Sequence, residues 1–258
     1  MLRKDTLKTR DPAAPTSDAA EIAKFNALAE EWWNPNGKFK VVHAFNAARV
    51  SYLIPHIASQ LGGPRDADRP LDGIRIADIG CGAGLVSEPL ASAGAHVFAI
   101  DAAERNVAIA RHHAAQSGVD TIAYETALPE QLGSDHTGAY DAVLSLEVVE
   151  HVADVDAFLA ALARLVRPGG IMVIGTLNRT AKSFAFGIVG AEYVLRLLPV
   201  GTHAWSKFVR PSELDTALGP HGFTREALAG VSMNPITWSW SIGNDTAVNY
   251  LATLRKTR

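Results

Sequence analysis

The run Ile76-Ala77-Asp78-Ile79-Gly80-Cys81-Gly82-Ala83-Gly84 constrains this chain more than any other stretch. Residues 74–79 alternate apolar and polar and then turn apolar, the pattern of a strand sinking into a core. Glycines at every second position follow at once, and residues 86–93 read as a helix. A second strand, 96–100, closes on Asp101. A strand, a tight turn, a helix and another strand in close succession make a βαβ unit, so the chain is committed to a parallel sheet. The glycines let backbone N–H groups approach a ligand closely. A carboxylate at the carboxyl end of the second strand can accept hydrogen bonds from both hydroxyls of a ribose. The unit therefore points to an adenosine-type ligand.

The kind of ligand follows from charge. The dinucleotide fingerprint is G-x-G-x-x-G, whereas the glycines here run G-x-G-x-G, and an acid, Asp78, stands just before them. A carboxylate there repels a pyrophosphate and attracts an ammonium or a sulfonium. S-adenosylmethionine carries both cations and no phosphate. The string D-I-G-C-G-A-G resembles motif I of class I methyltransferases, and Asp101 resembles their ribose-binding acid. A Gly-rich turn by itself is also an ordinary structural device; the preceding acid, the flanking strand and helix, and Asp101 favour the ligand.

The same alternation continues. A helix is expected over 105–117, stopped by Gly118, then a short strand at 122–124, a fourth at Tyr140–Leu146 and a helix at Val155–Leu165. Arg167-Pro168-Gly169-Gly170 turns the chain into a fifth strand, 171–176. A helix at Pro211–Leu218, an edge strand near 225–228 and a last strand at 248–254 complete the pattern. The expected fold is α/β and Rossmann-like: a mostly parallel, seven-stranded sheet with helices on both faces. Residues 1–17 read as a disordered tail. A segment at 18–70 covers the site, with an amphipathic helix at 18–33, a second helix at 44–60 and a polar linker at 62–70. The cofactor-binding core runs over 71–258. It carries a helical insertion at 178–208, after strand five, whose apolar part, 183–200, is broken by Glu192 and Arg196. That part is too short and too charged to span a bilayer. It suits a lid on the active site or a segment lying in a membrane interface, with Arg179, Lys182, Arg196 and Lys207 towards headgroups.

Composition narrows the class. Over 258 residues, 48% are hydrophobic, ample for a buried core, and the net charge of -3 gives no pull towards nucleic acid. There is neither a basic stripe nor an N-P-P-Y-type tetrapeptide, which argues against a nucleic-acid methyltransferase. The one cysteine, Cys81, sits inside the glycine turn, where a small side chain packs beside a ligand. The basic but not apolar N-terminus is no secretory signal, so the expected location is cytoplasmic.

After strand four comes Glu147-Val148-Val149-Glu150-His151. On a helix, Glu147, Glu150 and His151 sit at i, i+3 and i+4 and project to one side. They do so at the carboxyl end of a central strand, where open α/β sheets bind ligands. Two carboxylates and an imidazole suit a divalent cation, Mg²⁺ or Mn²⁺ by the oxygen-rich set, or Zn²⁺. The same acids can equally cap a helix or touch the cofactor.

Segments outside this core are more specific. They are F-N-A-L-A-E-E-W-W-N-P-N-G-K-F-K from Phe25, H-x-F-N-A-A-R from His43, T-L-N-R from Thr176, V-G-A-E-Y from Val189, G-T-H from Gly201 and N-P-I-T from Asn234. Together they resemble the ubiquinone-biosynthesis O-methyltransferase family from about Ile22 to Leu254. The resemblance implies methyl transfer from S-adenosylmethionine to 2-polyprenyl-6-hydroxyphenol and to 3-demethylubiquinol. It carries the cofactor positions to Arg49, Gly80, Asp101 and Leu146, with Arg49 on the methionine carboxylate. It makes Glu147, Glu150 and His151 the catalytic set and the ligands of Mg²⁺ or another divalent cation. It also implies peripheral contact with the inner face of the inner membrane, through the insertion, and a place in a ubiquinone-biosynthesis assembly. A divalent cation chelated by two adjacent ring oxygens lowers the phenol pKa; without one, His151 or His203 is the candidate general base. Two other readings stay open: a class I methyltransferase for another small molecule, and a membrane-associated, cofactor-binding scaffold subunit.

Overall fold

The computed structural model describes residues 40–63, 67–184, 205–234 and 239–257, with Trp33, Gly37 and Thr237. The tail, the 18–33 helix apart from Trp33, most of the insertion and His203 lie outside the described residues.

In chain order the elements are α1 (Lys40–Gln60), β1 (Arg75–Ile79), α2 (Ser87–Ser92), β2 (His96–Asp101), α3 (Glu104–Ser117), β3 (Ile122–Thr126), β4 (Tyr140–Leu146), α4 (Val155–Leu165), β5 (Val166–Leu177), α5 (Pro211–Leu218), β6 (Phe223–Asn234), β7 (Ser239–Gly243) and β8 (Asn249–Lys256). They build one eight-stranded sheet in the order β3-β2-β1-β4-β5-β8-β6-β7. The first five of these strands are parallel, and β8, β6 and β7 add on by antiparallel pairing. The sheet is mostly parallel, as expected, but it has an eighth strand. The segment near 225–228 is also no edge: β6 is twelve residues long and is paired on both sides, to β8 and β7. Strand β7 escapes a reading by pattern because its alternation, with Trp240 and Ile242 inward, lasts only five residues.

Two cores flank the sheet. On one face, Leu53 and Ile57 of α1, Leu90 of α2 and Ala110 of α3 pack on Ile76, Leu144, Val173 and Leu251. On the other, Phe158 and Leu162 of α4 and Leu214 of α5 pack on Ala77, Val143, Ile174 and Tyr250. Alternate residues of each strand supply the two faces, so even a one-residue shift of register would be costly. Helix ends follow local chemistry. Asp154 caps α4 by accepting from the Ala157 N–H at 3.0 Å, and Gly118 ends α3 in the left-handed region at φ 69°.

One close approach locks the antiparallel end. A Cβ added to Gly230 of β6 would lie 1.9 Å from the Asp245 carbonyl oxygen, in the link between β7 and β8. Backbone cannot yield there as a flexible side chain can. Gly230→Ala is expected to lower stability by about 2 kcal/mol, read as a fall in the urea midpoint with an unchanged slope.

Candidate active site

The glycine turn leaves β1 at the carboxyl edge of the sheet. Gly80 N–H and Cys81 N–H both donate to the Ile100 carbonyl, at 2.8 and 2.9 Å, which ties the turn to the end of β2. Gly80 is left-handed (φ 79°), and a Cβ there would lie 2.3 Å from a Val148 methyl. Asp101, at the end of β2, accepts from Gly82 N–H (2.9 Å) and Ala103 N–H (2.8 Å). Asn106 Nδ2 also donates to Asp101 Oδ1, at 3.3 Å, so Oδ2, with one donor, is the oxygen that retains a lone pair. Leu146 is buried at the end of β4 within the α1-side core. Gly80, Asp101 and Leu146 thus stand on three neighbouring strands of one rim.

Asp78 does local work first. It is 2% exposed and accepts from Ser87 Oγ at 2.6 Å, fastening the first turn of α2 beneath the glycines. Burial pushes its carboxyl up to about 6; the Ser87 bond and the Arg49 charge hold it back, and the Asp101 charge adds to the rise. Burial also pushes the Cys81 thiol well up, with Asp78 and Asp101 adding to it. Cys81 therefore packs as a thiol, as its position in the turn implied.

Arg49 comes from α1 and is 4% exposed. One terminal nitrogen donates to Glu147 Oε1 at 3.1 Å and the other to Asn46 Oδ1. Its guanidinium carbon lies 3.9 Å from the centre of the Phe45 ring, and its Nε has no partner among the described residues. Burial lowers its pKa, while Glu147, Asp78 and Glu150 draw it back up.

The Glu147–His151 segment differs from the expectation. It is a turn, not a helix: His151 N–H donates to the Val148 carbonyl at 2.8 Å, and α4 begins only at Val155. Glu147 has φ 57° and is the single non-glycine residue with positive φ among those described. That backbone costs a non-glycine residue roughly 1–2 kcal/mol, and it redirects the side chain. A continued strand would aim Glu147 with Val143 and Ser145, towards α4. Instead its carboxylate meets Arg49 of α1 and, at 3.0 and 3.2 Å, the Asn249 amide at the head of β8. Glu150 goes the other way. It is 3% exposed and accepts from Thr176 Oγ1 at 2.8 Å, and Thr176 follows Met172 and Ile174 on the α4 side. Burial, then the Glu147 charge, pushes the Glu150 carboxyl up, against the pull of its hydrogen bonds and of Arg49.

These positions bear on the metal reading. Among the described residues no group of three His, Cys, Asp or Glu side chains is gathered as a cation would need. A guanidinium already neutralises Glu147, and Glu150 is bonded on the opposite face of the sheet. The helical spacing expected for the segment is absent, and each acid already has a partner of its own, Arg49 for Glu147 and Thr176 for Glu150.

Several partners were not legible beforehand. Asn46, Thr176 and Asn249 hold Arg49, Glu150 and Glu147, and their only sequence signal is a polar residue at a position the apolar pattern would fill. Trp33 is another: its indole N–H donates to the Ala83 carbonyl of the glycine turn at 2.9 Å. Its ring also stacks on His113, with centroids 3.4 Å apart.

Two outcomes follow. Gly80→Ala adds left-handed strain and a clash with Val148, so affinity for S-adenosylmethionine should fall at least about tenfold in calorimetry, roughly 1.4 kcal/mol. Asp78 titrates near 4 when unfolded and near 6 when folded. The folded state therefore holds the extra proton between those values, and stability falls as pH rises through that window, by about 2–3 kcal/mol, then levels off. In Asp78→Asn the difference in urea stability between pH 4 and 6.5 should shrink accordingly.

Comparison with known proteins agrees with this geometry. Residues 77–174 match the family model described as "Methyltransferase domain". In solved structures the fold resembles magnesium protoporphyrin IX methyltransferase from Synechocystis PCC 6803 with bound SAH, at TM-score 0.67 and 20% identity over 92% of this chain and 99% of that one. It also resembles the N-methyltransferase NodS from Bradyrhizobium japonicum WM9, at TM-score 0.60 and 16% identity over 93% and 98%. Sequence similarity is far higher to proteins named ubiquinone biosynthesis O-methyltransferase. That of Mesorhizobium japonicum is 48% identical over 95% of this chain and 98% of its own length. That of Maricaulis maris is 48% identical over 94% of each. With a methyltransferase sheet, a glycine turn facing Asp101 and near-full-length identity of this order, the chain belongs to the ubiquinone biosynthesis O-methyltransferase family.

Proposed function

We propose that this chain is an O-methyltransferase of ubiquinone biosynthesis. It methylates a phenolic hydroxyl of a polyprenylated ring, namely 2-polyprenyl-6-hydroxyphenol and 3-demethylubiquinol. The observation that carries the reading is 48% identity along nearly the whole of both chains to relatives of that name.

S-adenosylmethionine, when bound, supplies an electrophilic methyl group. The chain's own residues hold, orient and deprotonate. Asp101 takes a ribose hydroxyl with the lone pair left on Oδ2, and Leu146 gives the adenine an apolar surface. The Gly80 turn lets backbone reach the ligand without a side chain between. Arg49, with five N–H donors and only two of its nitrogens engaged, holds the methionine carboxylate. In-line transfer needs the acceptor oxygen placed behind the methyl group and relieved of its proton, since phenols titrate near ~10. His151, half-buried at the end of the turn after β4, is the general base we assign. Glu147 orders the space between Arg49 and Asn249, and Glu150 braces the turn from beneath through Thr176.

Contact with a membrane belongs to this proposal. No helix among the described residues is long and apolar enough to cross a bilayer. Where the insertion leaves and rejoins the described fold, Phe184 is 49% and Trp205 37% exposed, edge to face with centroids 6.3 Å apart. Such an aromatic pair beside Lys182 and Lys207 favours peripheral attachment at an anionic surface, at the inner face of the inner membrane and within reach of other enzymes of the same pathway.

The test is turnover of a short-chain prenyl catechol with methyl-labelled donor. Labelled catechol monoether is expected from the wild type, and His151→Ala should lose at least about 100-fold in kcat with donor affinity kept. A wild type that binds the donor yet labels no prenyl catechol overturns the substrate reading. An unchanged kcat in the variant overturns the base.

A further inference from the structure

Asn249 heads β8, 4% exposed, opposite Leu177 of β5 and Val231 of β6. Its amide has a settled orientation. The nitrogen donates to both oxygens of Glu147, and a half-turn of the amide would set its oxygen against that carboxylate, two acceptors face to face. The oxygen, Oδ1, is therefore the end left over, and it is a buried acceptor with no partner among the described residues. Buried polar groups are almost always paired, and a held but unpaired acceptor is built to meet a donor on a bound molecule.

The strand order says which molecule. The glycine turn and Asp101 stand over β1 and β2, whereas β8 lies three ladder steps from β1, through β4 and β5. At ~4.8 Å per step that is about 14 Å along the rim. Glu147 lies between Arg49 and Asn249, so with the donor's carboxylate on Arg49, as assigned above, Asn249 falls on the side away from the glycine turn. We propose that Asn249 is the specificity-determining residue for the acceptor: Oδ1 accepts a hydrogen bond from the ring hydroxyl adjacent to the one that is methylated. The bond selects ortho-dihydroxy rings over monophenols and sets which of the two oxygens lies in line with the methyl group. This rests on the reading of the acceptor as a prenylated catechol.

The experiment compares the wild type, Asn249→Ala and Asn249→Ser. Each is assayed with a short-chain prenyl catechol and with its monohydroxy counterpart, in which the non-reacting hydroxyl is replaced by hydrogen. Serine keeps a donor for Glu147 but has no second acceptor at the Oδ1 position. In both variants the wild-type preference for the catechol, in kcat/KM, is expected to shrink at least about tenfold. The catechol product should become a mixture of the two monomethyl ethers, and donor affinity should stay within a factor of about two. Three results overturn the inference while leaving the substrate reading intact: an unchanged preference and a single product; equal slowing with both acceptors, which marks a purely structural role through Glu147; or weakened donor binding, which assigns Oδ1 to the donor's ammonium. A wild type that binds the donor but methylates neither acceptor overturns the substrate reading, and the inference falls with it.

Discussion

A single buried guanidinium holds the working rim of this molecule together. Arg49 reaches from α1 to the turn after β4, and its charge is felt by Asp78, Glu147 and Glu150. Removing one partner of a buried charge pair leaves the other uncompensated, at a cost of about 3–5 kcal/mol. Three acids would lose their common cation here. The position of α1 on the sheet, the direction of Glu147 and the partial neutralisation beneath the glycine turn are therefore one problem with one solution. The Phe45 ring beneath the guanidinium and Asn46 beside it keep that cation where the acids need it.

The two acids after β4 divide their labour by sheet face. Glu147 joins the α1 side, where Arg49, Asp78 and the glycine turn already lie, and it stays partly open to solvent. Glu150 is sealed on the α4 side against Thr176. One can meet a ligand in the crevice, while the other steadies the turn that presents it. The two still feel each other, for the Glu147 charge adds to the rise of the buried Glu150 carboxyl.

Much of this was readable from the residue pattern, for physical reasons. Strand β4, α4 and α5 came out at their observed bounds because each carries an uninterrupted apolar period between clear stops. The glycine turn and Asp101 were legible because a close backbone approach and a carboxylate at a strand end each admit few residue types. Elsewhere the pattern misled. Residues 147–151 keep helical spacing in the sequence, but the first of them is left-handed, and a helix cannot pass through such a residue. Strand β7 alternates, with Trp240 and Ile242 inward, but over five residues only, too short a run to stand out from a loop. Asn249 begins an apolar run as any strand-end polar residue can, and only the neighbouring strands reveal what it holds.

The left-handed backbone at Glu147 sets two demands on one position. For the main chain, glycine would be the relaxed occupant, since it enters that region without steric cost. For the side chain, only a carboxylate long enough to span from Arg49 to Asn249 serves. The two requirements cannot be met by the same residue, so robustness and chemistry compete at this site. Selection for heat resistance alone would drift towards the smaller residue and discard the enzyme's charge balance in the process.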